Sequence, residues 1–460
     1  MKRSDFPPDF LWGTATASFQ VEGTEPGDGR GGSIWDTFCA TPGKVHNNDT
    51  GKTACEHYKR YAQDVALMGE LGINAYRFSI AWPRLLPDGT GRVNQKGIDF
   101  YNRLIDELLK KNIAPCATLY HWDLPQKLQD TGGWATRAIC GPWAEYVNLA
   151  YEHFGDRVKQ WFTHNEPWVA AFAGNLQGRH APGNTDLATA VAASYHLVLT
   201  HGQAIEAFRQ SKARDGKIGV VLNLYPAVPA ADSEADKHAA DLSDQFQNRW
   251  FLDPVYKGCY PQELREIFEK AGAPLPEKPG DLDFIKKQKP DFLGINYYFR
   301  KVLRAAASED IAQGKIPHPA LPIVEVIPPG ARTTEMGWEI YPQGMADLLL
   351  RIKDDYGNPP LFITENGASF PDDKFAVGTK SPYMLDDEDR RQFIEDHIAA
   401  GLRARKAGAN LAGYFVWSFM DNFEWARGYS KRFGVFYVDY KTQERSWKKS
   451  ARWYESFLKG

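Results

Sequence analysis

Cysteines are few in this sequence, and none of them cluster. The 460 residues include five cysteines, which are scattered and never arranged as Cys-x-x-Cys. A disulfide framework or a structural zinc site needs paired or closely spaced cysteines, so we expect neither, and a reducing compartment fits better. The sequence therefore predicts a cytoplasmic protein that carries no metal and no other cofactor.

Long apolar runs and an excess of positive charge are also missing. The longest apolar stretch lies near residues 411–420, about half the roughly 20 residues that a membrane-spanning helix needs. No apolar segment follows the charged N-terminus, so we expect no signal peptide. Lys and Arg number 55 against 58 Asp and Glu, for a net charge of −3. This balance offers no basic surface for nucleic acid or for an anionic membrane.

Aromatic side chains, by contrast, are abundant. There are 14 Trp, 21 Tyr and 26 Phe, and 43% of all residues are hydrophobic, as in a folded globular protein. The length alone suggests about three domains. A single α/β barrel can nevertheless exceed 400 residues when its loops are long. The number of domains therefore has to be inferred from the order of the secondary-structure elements.

Short β-rich segments alternate with helical ones along the whole chain. Residues 94–111, for example, place Ile98, Tyr101, Ile105 and Leu108 at the three- and four-residue spacings of one helix face. Further helices are predicted over 141–158, 186–210, 341–356, 386–407 and 446–458. The predicted strands are 10–16, 75–82, 114–122, 160–166, 217–228, 291–299, 360–366 and 411–421.

Strand–helix alternation predicts a parallel sheet covered by helices, and eight units favour a closed barrel over an open Rossmann sheet. No segment resembles a linker, so we expect one (β/α)8 TIM barrel, a single α/β domain over residues 1–460. The Gly- and Pro-rich stretches 23–32, 317–330 and 370–382 fall between units, as long loops over the C-terminal mouth. Residues 27–32 match GxGxxG, but no strand precedes them, so a dinucleotide site is not expected.

Two carboxylates stand at strand ends that would meet at the barrel mouth. Glu166 ends the fourth predicted strand and Glu365 the seventh, and barrel enzymes carry their functional side chains at these ends. A lone carboxylate there is usually a loop residue, but each of these follows or precedes an Asn among indoles and imidazoles. Indole faces suit the C–H faces of sugars, and amides suit hydroxyls. The pattern indicates glycoside chemistry, in which two carboxylates flank the scissile bond.

Five segments of the sequence closely resemble the family 1 glycoside hydrolases, the β-glucosidase family. They occur in the family's order and span almost the whole chain. The segments are 10–23 (FLWGTATASFQVEG), 76–84 (YRFSIAWPR), 165–167 (NEP), 363–367 (ITENG) and 417–425 (WSFMDNFEW).

The resemblance implies a retaining reaction with Glu365 as nucleophile and Glu166 as general acid and base. The two carboxyl groups should then lie about 5–5.5 Å apart. Arg77 could simply fix the barrel layers, but beside a carboxylate mouth it is better placed to orient Glu365. Arg77 and the Tyr298 hydroxyl should keep Glu365 ionised, and the charge of Glu365 should keep Glu166 protonated.

The remaining site residues divide into a sugar site and a leaving-group site. A cis peptide between Trp417 and Ser418 is implied as well, with Trp417 as the stacking floor of the sugar site and His180 near its entrance. We expect the sugar site to contain Gln20, His121, Trp122, Asn165, Asn296, Trp417, Glu424, Trp425 and Phe433, and the leaving-group site Trp168, Asn223 and Trp338.

The main hypothesis is an exo-acting β-glucosidase that also accepts β-fucosides and β-galactosides. Its partner would be a small β-glucoside or cello-oligosaccharide, and its oligomeric state, monomer or homo-oligomer, is left open. A 6-phospho-β-glycosidase is the nearest alternative. Lys431 favours it, but Glu424 would repel a phosphate. A non-catalytic sugar-binding barrel is a third hypothesis, although both glutamates are present. Finally, His164 departs from the apolar residue expected before Asn165, and strand alternation should turn it outward.

Overall fold

Eight parallel strands close into a barrel. The computed structural model describes residues 1–372 and 384–460. Each strand is hydrogen-bonded to its neighbours in chain order, and the last closes onto the first, which confirms the predicted (β/α)8 fold. The strands are β1 (Leu11–Ala15), β2 (Ala75–Ser79), β3 (Ala114–Tyr120), β4 (Gln160–Asn165), β5 (Lys217–Asn223), β6 (Phe292–Asn296), β7 (Leu361–Asn366) and β8 (Leu411–Trp417).

Helices cover the outside of the barrel and account for the near-complete burial of its strands. Every residue of β2 and β7 is buried, as expected for parallel strands with both faces covered. The helix Gln95–Lys110 buries Ile98, Tyr101, Ile105 and Leu108, the face that its periodicity predicted. The other helices of seven or more residues are Ile34–Ala40, His57–Leu71, Cys140–Phe154, Leu187–Gln210, Glu234–Asp244, Trp250–Tyr256, Gln262–Lys270, Asp281–Lys287, Pro342–Asp355, Glu388–Lys406 and Lys449–Lys459.

The helix His57–Leu71 was not predicted, although the sequence carries the signals for it. Val65, Met68 and Leu71 are buried at the spacing of one helix face. Gly72 ends the helix in the left-handed conformation, with φ of 85°, which glycine adopts without steric cost.

The predicted strand 217–228 is two strands in the structure. β5 ends at Asn223, and a separate strand, Ala227–Pro229, follows Pro226, which has no N–H to continue a ladder. Ala227–Pro229 pairs with Lys301–Ala305, which pairs in turn with Ile323–Val326. We call this three-stranded unit the outer sheet.

The segments beyond the barrel strands form the loops over its C-terminal mouth. The predicted strand ends near 299 and 421 belong to these loops, because β6 stops at Asn296 and β8 at Trp417. A second small sheet joins Met384–Leu385, Phe436–Val438 and Arg445–Lys448. Of the predicted loop 370–382, residues 373–382 lie outside the described residues. None of the described helices is long and apolar enough to cross a membrane.

Candidate active site

Glu166 and Glu365 face one cavity at the C-terminal end of the barrel. The cavity has a volume of about 190 Å³, and both glutamates line it while remaining only 6% and 3% exposed. The strand ladders shift register next to each of them, between Phe162 and Asn165 in β4 and between Ile363 and Glu365 in β7. Such irregularities re-aim side chains beside active sites. The backbone of Glu166 is itself left-handed, with φ of 46°.

Arg77 joins three strands beneath the cavity. Its Nη1 donates to Oε1 of Glu365 over 2.7 Å, its Nη2 to Oδ1 of Asn165 over 2.7 Å, and its Nε to Oγ1 of Thr118 over 3.1 Å. Arg77 is almost completely buried. The Tyr298 hydroxyl donates to the other oxygen of Glu365, again over 2.7 Å. Both carboxylate oxygens of Glu365 are therefore held by donors, one of them charged.

Glu166 has a different environment. It accepts a hydrogen bond of 2.6 Å from Nδ2 of Asn296, and Asn296 in turn accepts one of 2.7 Å from the Thr364 hydroxyl. No cation lies within ion-pair distance of Glu166 among the described residues, whereas Glu365 lies 2.7 Å from the Arg77 guanidinium. The pair is therefore asymmetric, with the positive charge on the side of Glu365.

Burial and charge set the protonation of this pair. Burial, and after it the charge of Glu365, raises the pKa of Glu166 to about 8. Burial also raises the pKa of Glu365, but Arg77 and Tyr298 oppose that rise. The single negative charge of the pair therefore belongs on Glu365, next to the guanidinium, and the shared proton belongs on Glu166.

The structure brings most of the predicted sugar-site residues into the cavity wall. Gln20 and Asn165 are exceptions, since they are fully buried and do not line it. Asn165 contacts Nε2 of His121 through its amide nitrogen over 3.0 Å. Gln20 donates to the Phe423 carbonyl over 2.7 Å, and its own Oε1 has no protein partner. The predicted residues that line the cavity are His121, Trp122, Asn296, Trp417, Glu424, Trp425 and Phe433.

The strand-eight loop supplies the aromatic and acidic part of this wall. Trp417 lies nearly parallel to the His121 ring, with ring centres 5.9 Å apart, and its peptide bond to Ser418 is cis, as the resemblance implied. Trp425 packs against Trp122 at 4.6 Å. Glu424 is partly buried and faces the cavity. Burial and the Glu365 charge raise the pKa of Glu424 to about 8.

The predicted leaving-group residues lie in the outer part of the same cavity. Trp168, Asn223 and Trp338 all line it, and Trp338 packs 5.3 Å from the Tyr298 ring. His180 lines the cavity as well. Sequence reasoning missed several lining residues. Tyr225 and Phe299 follow strands β5 and β6 closely, so strand-end position could have found them, but the loop residues carry no such signal. The missed residues are Val169, Arg179, Leu224, Tyr225, Phe299, Lys301 and Met336.

Two residues that complicated the sequence interpretation have structural partners. Lys431 lies 2.8 Å from Oε1 of Glu335, whose other oxygen accepts from the Ser369 hydroxyl, and neither member of the Lys431–Glu335 pair lines the cavity. His164 contacts the Thr200 hydroxyl over 3.1 Å, on the outer helix Leu187–Gln210. His164 therefore turns away from Glu166, as strand alternation predicted.

Within residues 1–372 and 384–460, no group of three or more His, Cys, Asp or Glu side chains is placed to hold a metal ion.

Comparison with known proteins places this geometry among glycosidases. The sequence profile of glycosyl hydrolase family 1 matches residues 2–460. The chain is 47% identical to β-glucosidase A of Thermotoga maritima, over 100% of this chain and 99% of that protein. It is 39% identical to the 6-phospho-β-glucosidase GmuD of Bacillus subtilis, over 98% and 97% of the two chains. The structure of a β-glucosidase from Thermotoga maritima in complex with deoxynojirimycin superposes with a TM-score of 0.91, at 47% identity over 99% of this chain and 98% of that one.

Proposed function

The chain belongs to glycosyl hydrolase family 1, and from this premise we propose the residue-by-residue mechanism of a retaining β-glucosidase. The chain is a glycoside hydrolase that removes terminal β-D-glucosyl residues with retention of configuration. In the proposed mechanism Glu365 is the nucleophile and Glu166 the general acid and base. The observation that carries the assignment is the pair of donors, Arg77 and Tyr298, on Glu365.

The first step forms a covalent glycosyl-enzyme. Glu365 attacks the anomeric carbon while Glu166 gives its proton to the glycosidic oxygen, so the leaving group departs as a neutral alcohol. A carboxyl group with a pKa near 8 is protonated at neutral pH and can serve as this acid. Arg77 and Tyr298 stabilise Glu365 in its ionised, nucleophilic form.

The second step releases the sugar. Esterification removes the negative charge of Glu365, and that charge is one of the factors that raise the pKa of Glu166. Glu166 can then lose its proton and act as the base that activates water. Attack of this water on the anomeric carbon from the leaving-group side gives a product with the original configuration.

The sugar is held by the residues around Trp417. We assign the stacking face to Trp417 and the hydrogen bonds to Gln20, His121, Asn165, Glu424 and the Trp425 indole. Gln20 supports this proposal because its buried Oε1 lacks a protein partner, and a buried acceptor without a donor is costly until a ligand hydroxyl supplies one. Trp122, Asn296 and Phe433 complete this site, and Trp168, Asn223 and Trp338 contact the leaving group.

We propose an unphosphorylated sugar as substrate. Glu424 places a carboxyl group in the cavity wall, and its raised pKa keeps it largely protonated at neutral pH. It therefore offers no positive charge to a 6-phosphate, and the charge of Lys431 is already paired with Glu335. The wider proposal is one catalytic domain over residues 1–460, cytoplasmic, acting on small β-glucosides and cello-oligosaccharides and tolerating β-fucosides and β-galactosides.

An activity panel tests the substrate class. We expect turnover of 4-nitrophenyl β-glucoside, β-fucoside and β-galactoside, and little or none of the corresponding 6-phospho-β-glucoside. Activity confined to the phosphorylated substrate would show that the enzyme is a 6-phospho-β-glycosidase.

A rescue experiment tests the nucleophile. Glu365→Gly should lower kcat on 2,4-dinitrophenyl β-glucoside by about 10⁴-fold or more. Added azide should restore turnover and yield the α-glucosyl azide, because azide attacks from the face that Glu365 has vacated. A β-glucosyl azide, or wild-type turnover without azide, would reassign the nucleophile.

A further inference from the structure

A second cavity adjoins the catalytic one on its leaving-group side. It has a volume of about 250 Å³, and Trp168, Tyr225 and Lys301 line both cavities. Two strands of the outer sheet, Lys301–Ala305 and Ile323–Val326, contribute to its wall. We call it the outer chamber. A leaving group that extends past Trp168 would enter the outer chamber directly.

The walls of the outer chamber combine apolar and aromatic side chains with polar ones, among them Gln177 and Ser243. The Tyr225 ring is stacked on Phe299, with ring centres 6.1 Å apart and planes 18° apart. Phe246, Leu303 and Ile323 add further apolar surface. Flat rings pack well on such surfaces.

Positive charge exceeds negative charge around the outer chamber. Lys301 and Lys315 line it together with one carboxylate, that of Glu325, which lies 3.1 Å from Lys301. Lys315 is half exposed and 4.0 Å from Asp310, a carboxylate already bound through both oxygens by Arg304. The two lysines are therefore incompletely neutralised.

Arg179 adds a third cation at the junction with the catalytic cavity. It lines that cavity and donates to Oε1 of Gln177 over 2.6 Å, and Gln177 lines the outer chamber. Arg179 forms no ion pair within the described part of the chain. This local excess of positive charge contrasts with the net charge of −3 of the whole sequence.

We propose that the outer chamber binds the anionic end of an aromatic leaving group, so that β-glucosides of phenolic carboxylic acids are preferred substrates. The inference rests on the β-glucosidase function proposed above and specifies its leaving group. The ring packs against the aromatic wall, and the carboxylate approaches Lys301 and Lys315. Burial lowers the pKa of Lys301, but Tyr225 and Glu325 outweigh it, so Lys301 is a cation at neutral pH.

A matched pair of substrates tests this inference. The acid is 4-(β-D-glucosyloxy)cinnamate and its neutral partner is the methyl ester, and the measured quantity is the ratio of their kcat/KM values. Comparing this ratio between variants cancels the difference in intrinsic reactivity of the two leaving groups. The double variant Lys301→Met, Lys315→Met should lower the ratio about five- to tenfold, which corresponds to about 1–1.4 kcal/mol for the loss of two part-exposed charge pairs.

Two further variants complete the design. Glu325→Gln removes the competing carboxylate and should raise the ratio about two- to fivefold. Lys315→Met alone, at an exposed position, should lower it about twofold and serves if the double variant does not fold. Lys212→Met is the control, because Lys212 pairs with Glu152 at the opposite end of the barrel, and the ratio should not change.

A ratio that stays constant across the double variant and Glu325→Gln would overturn the inference. An effect on cellotriose instead of the cinnamate would also overturn it, since the outer chamber would then bind a neutral sugar. Hydrolysis of 4-nitrophenyl β-glucoside by the wild-type enzyme separates the two proposals. If the enzyme fails on that substrate, the proposed function is wrong; if it succeeds and the ratio does not respond, only the anionic leaving group is wrong.

Discussion

The inner and outer halves of the active-site cavity are held in place by different forces. In the inner half, Arg77 and Asn296 link side chains of barrel strands that are not adjacent, through short hydrogen bonds that are almost fully buried. In the outer half, Trp338 and Phe299 pack ring on ring, and Lys301 and Glu325 form a part-exposed pair. Hydrogen bonds between charged, buried groups fix position closely, whereas apolar packing tolerates different shapes. The difference suits an enzyme that fixes its reacting carboxyl groups closely while its leaving groups vary.

A buried network of ion pairs stabilises the loop that lines the inner half of the cavity. Oδ1 of Asp421 lies 2.7 Å from Nζ of Lys448, and its Oδ2 lies 2.6 Å from Arg432. Asp421 precedes Asn422, whose side-chain oxygen accepts from Gln20. The loop that carries Glu424 and Trp425 is therefore anchored to the C-terminal part of the chain at its base.

The largest loss of activity should follow substitution of Glu166, the carboxyl group of the inner half that donates the proton. Glu166→Gln keeps the acceptor for Asn296 but removes the proton, so kcat/KM for cellobiose should fall about 10³–10⁴-fold. The loss on 2,4-dinitrophenyl β-glucoside should be far smaller, because that leaving group departs without protonation. Glu335→Gln makes the same chemical change outside the cavity and serves as the control. Equal losses on both substrates would remove Glu166 from the acid role.

The next largest effect should be on stability, from the ion pairs of Asp421 that support the inner half. Lys448→Met leaves the buried Asp421 short of a cation, and breaking such a pair lowers the free energy of unfolding by about 3–5 kcal/mol. Lys431→Met breaks the part-exposed pair with Glu335 and should cost no more than about 1 kcal/mol. Denaturant unfolding of the two variants measures both. Similar losses would show that burial does not distinguish the two pairs.

The pH dependence of kcat/KM should show an effect of intermediate size, and it distinguishes substitutions in the inner half of the cavity from those in the outer half. Glu166 acts in its protonated form, so kcat/KM for cellobiose should fall about tenfold per pH unit above pH 8, as this proton is lost. Tyr298 lowers the pKa of Glu365, so Tyr298→Phe should move the acidic limb to higher pH. Trp338→Phe, in the outer half, should move neither limb. If the fall in kcat/KM at high pH persists in Glu166→Gln, it is caused by a group other than Glu166.

The outer half should give the smallest effect. Trp338→Ala removes one aromatic face from the leaving-group site and should raise KM for aryl β-glucosides about two- to tenfold, with kcat nearly unchanged. Trp453→Ala, on the C-terminal helix Lys449–Lys459, is the matched control. A large loss of kcat in Trp338→Ala would mean that the outer wall also positions Glu365 through Tyr298.

The sequence predicts the inner half far better than the outer half, for physical reasons. Strand and helix periods locate all eight barrel strands, and strand ends must converge at the mouth, so Glu166 and Glu365 could be paired across 199 residues. Arg179 and Lys301 lie beyond the barrel strands, in segments whose sequence shows neither a helical nor a strand period. The Lys431–Glu335 pair joins loops 96 residues apart, and no local pattern fixes which cation meets which carboxylate.

The outer sheet is built largely apart from the barrel. Its strands hydrogen-bond to one another, while β5 and β6 pair directly beneath it. Exchanging residues 306–322, which connect two of its strands, would therefore leave every barrel ladder and the Arg77 contacts intact. For protein engineering, residues 306–322 therefore form a segment that can be exchanged as a unit. Such an exchange can change the preference for leaving groups while the catalytic residues and their contacts stay the same.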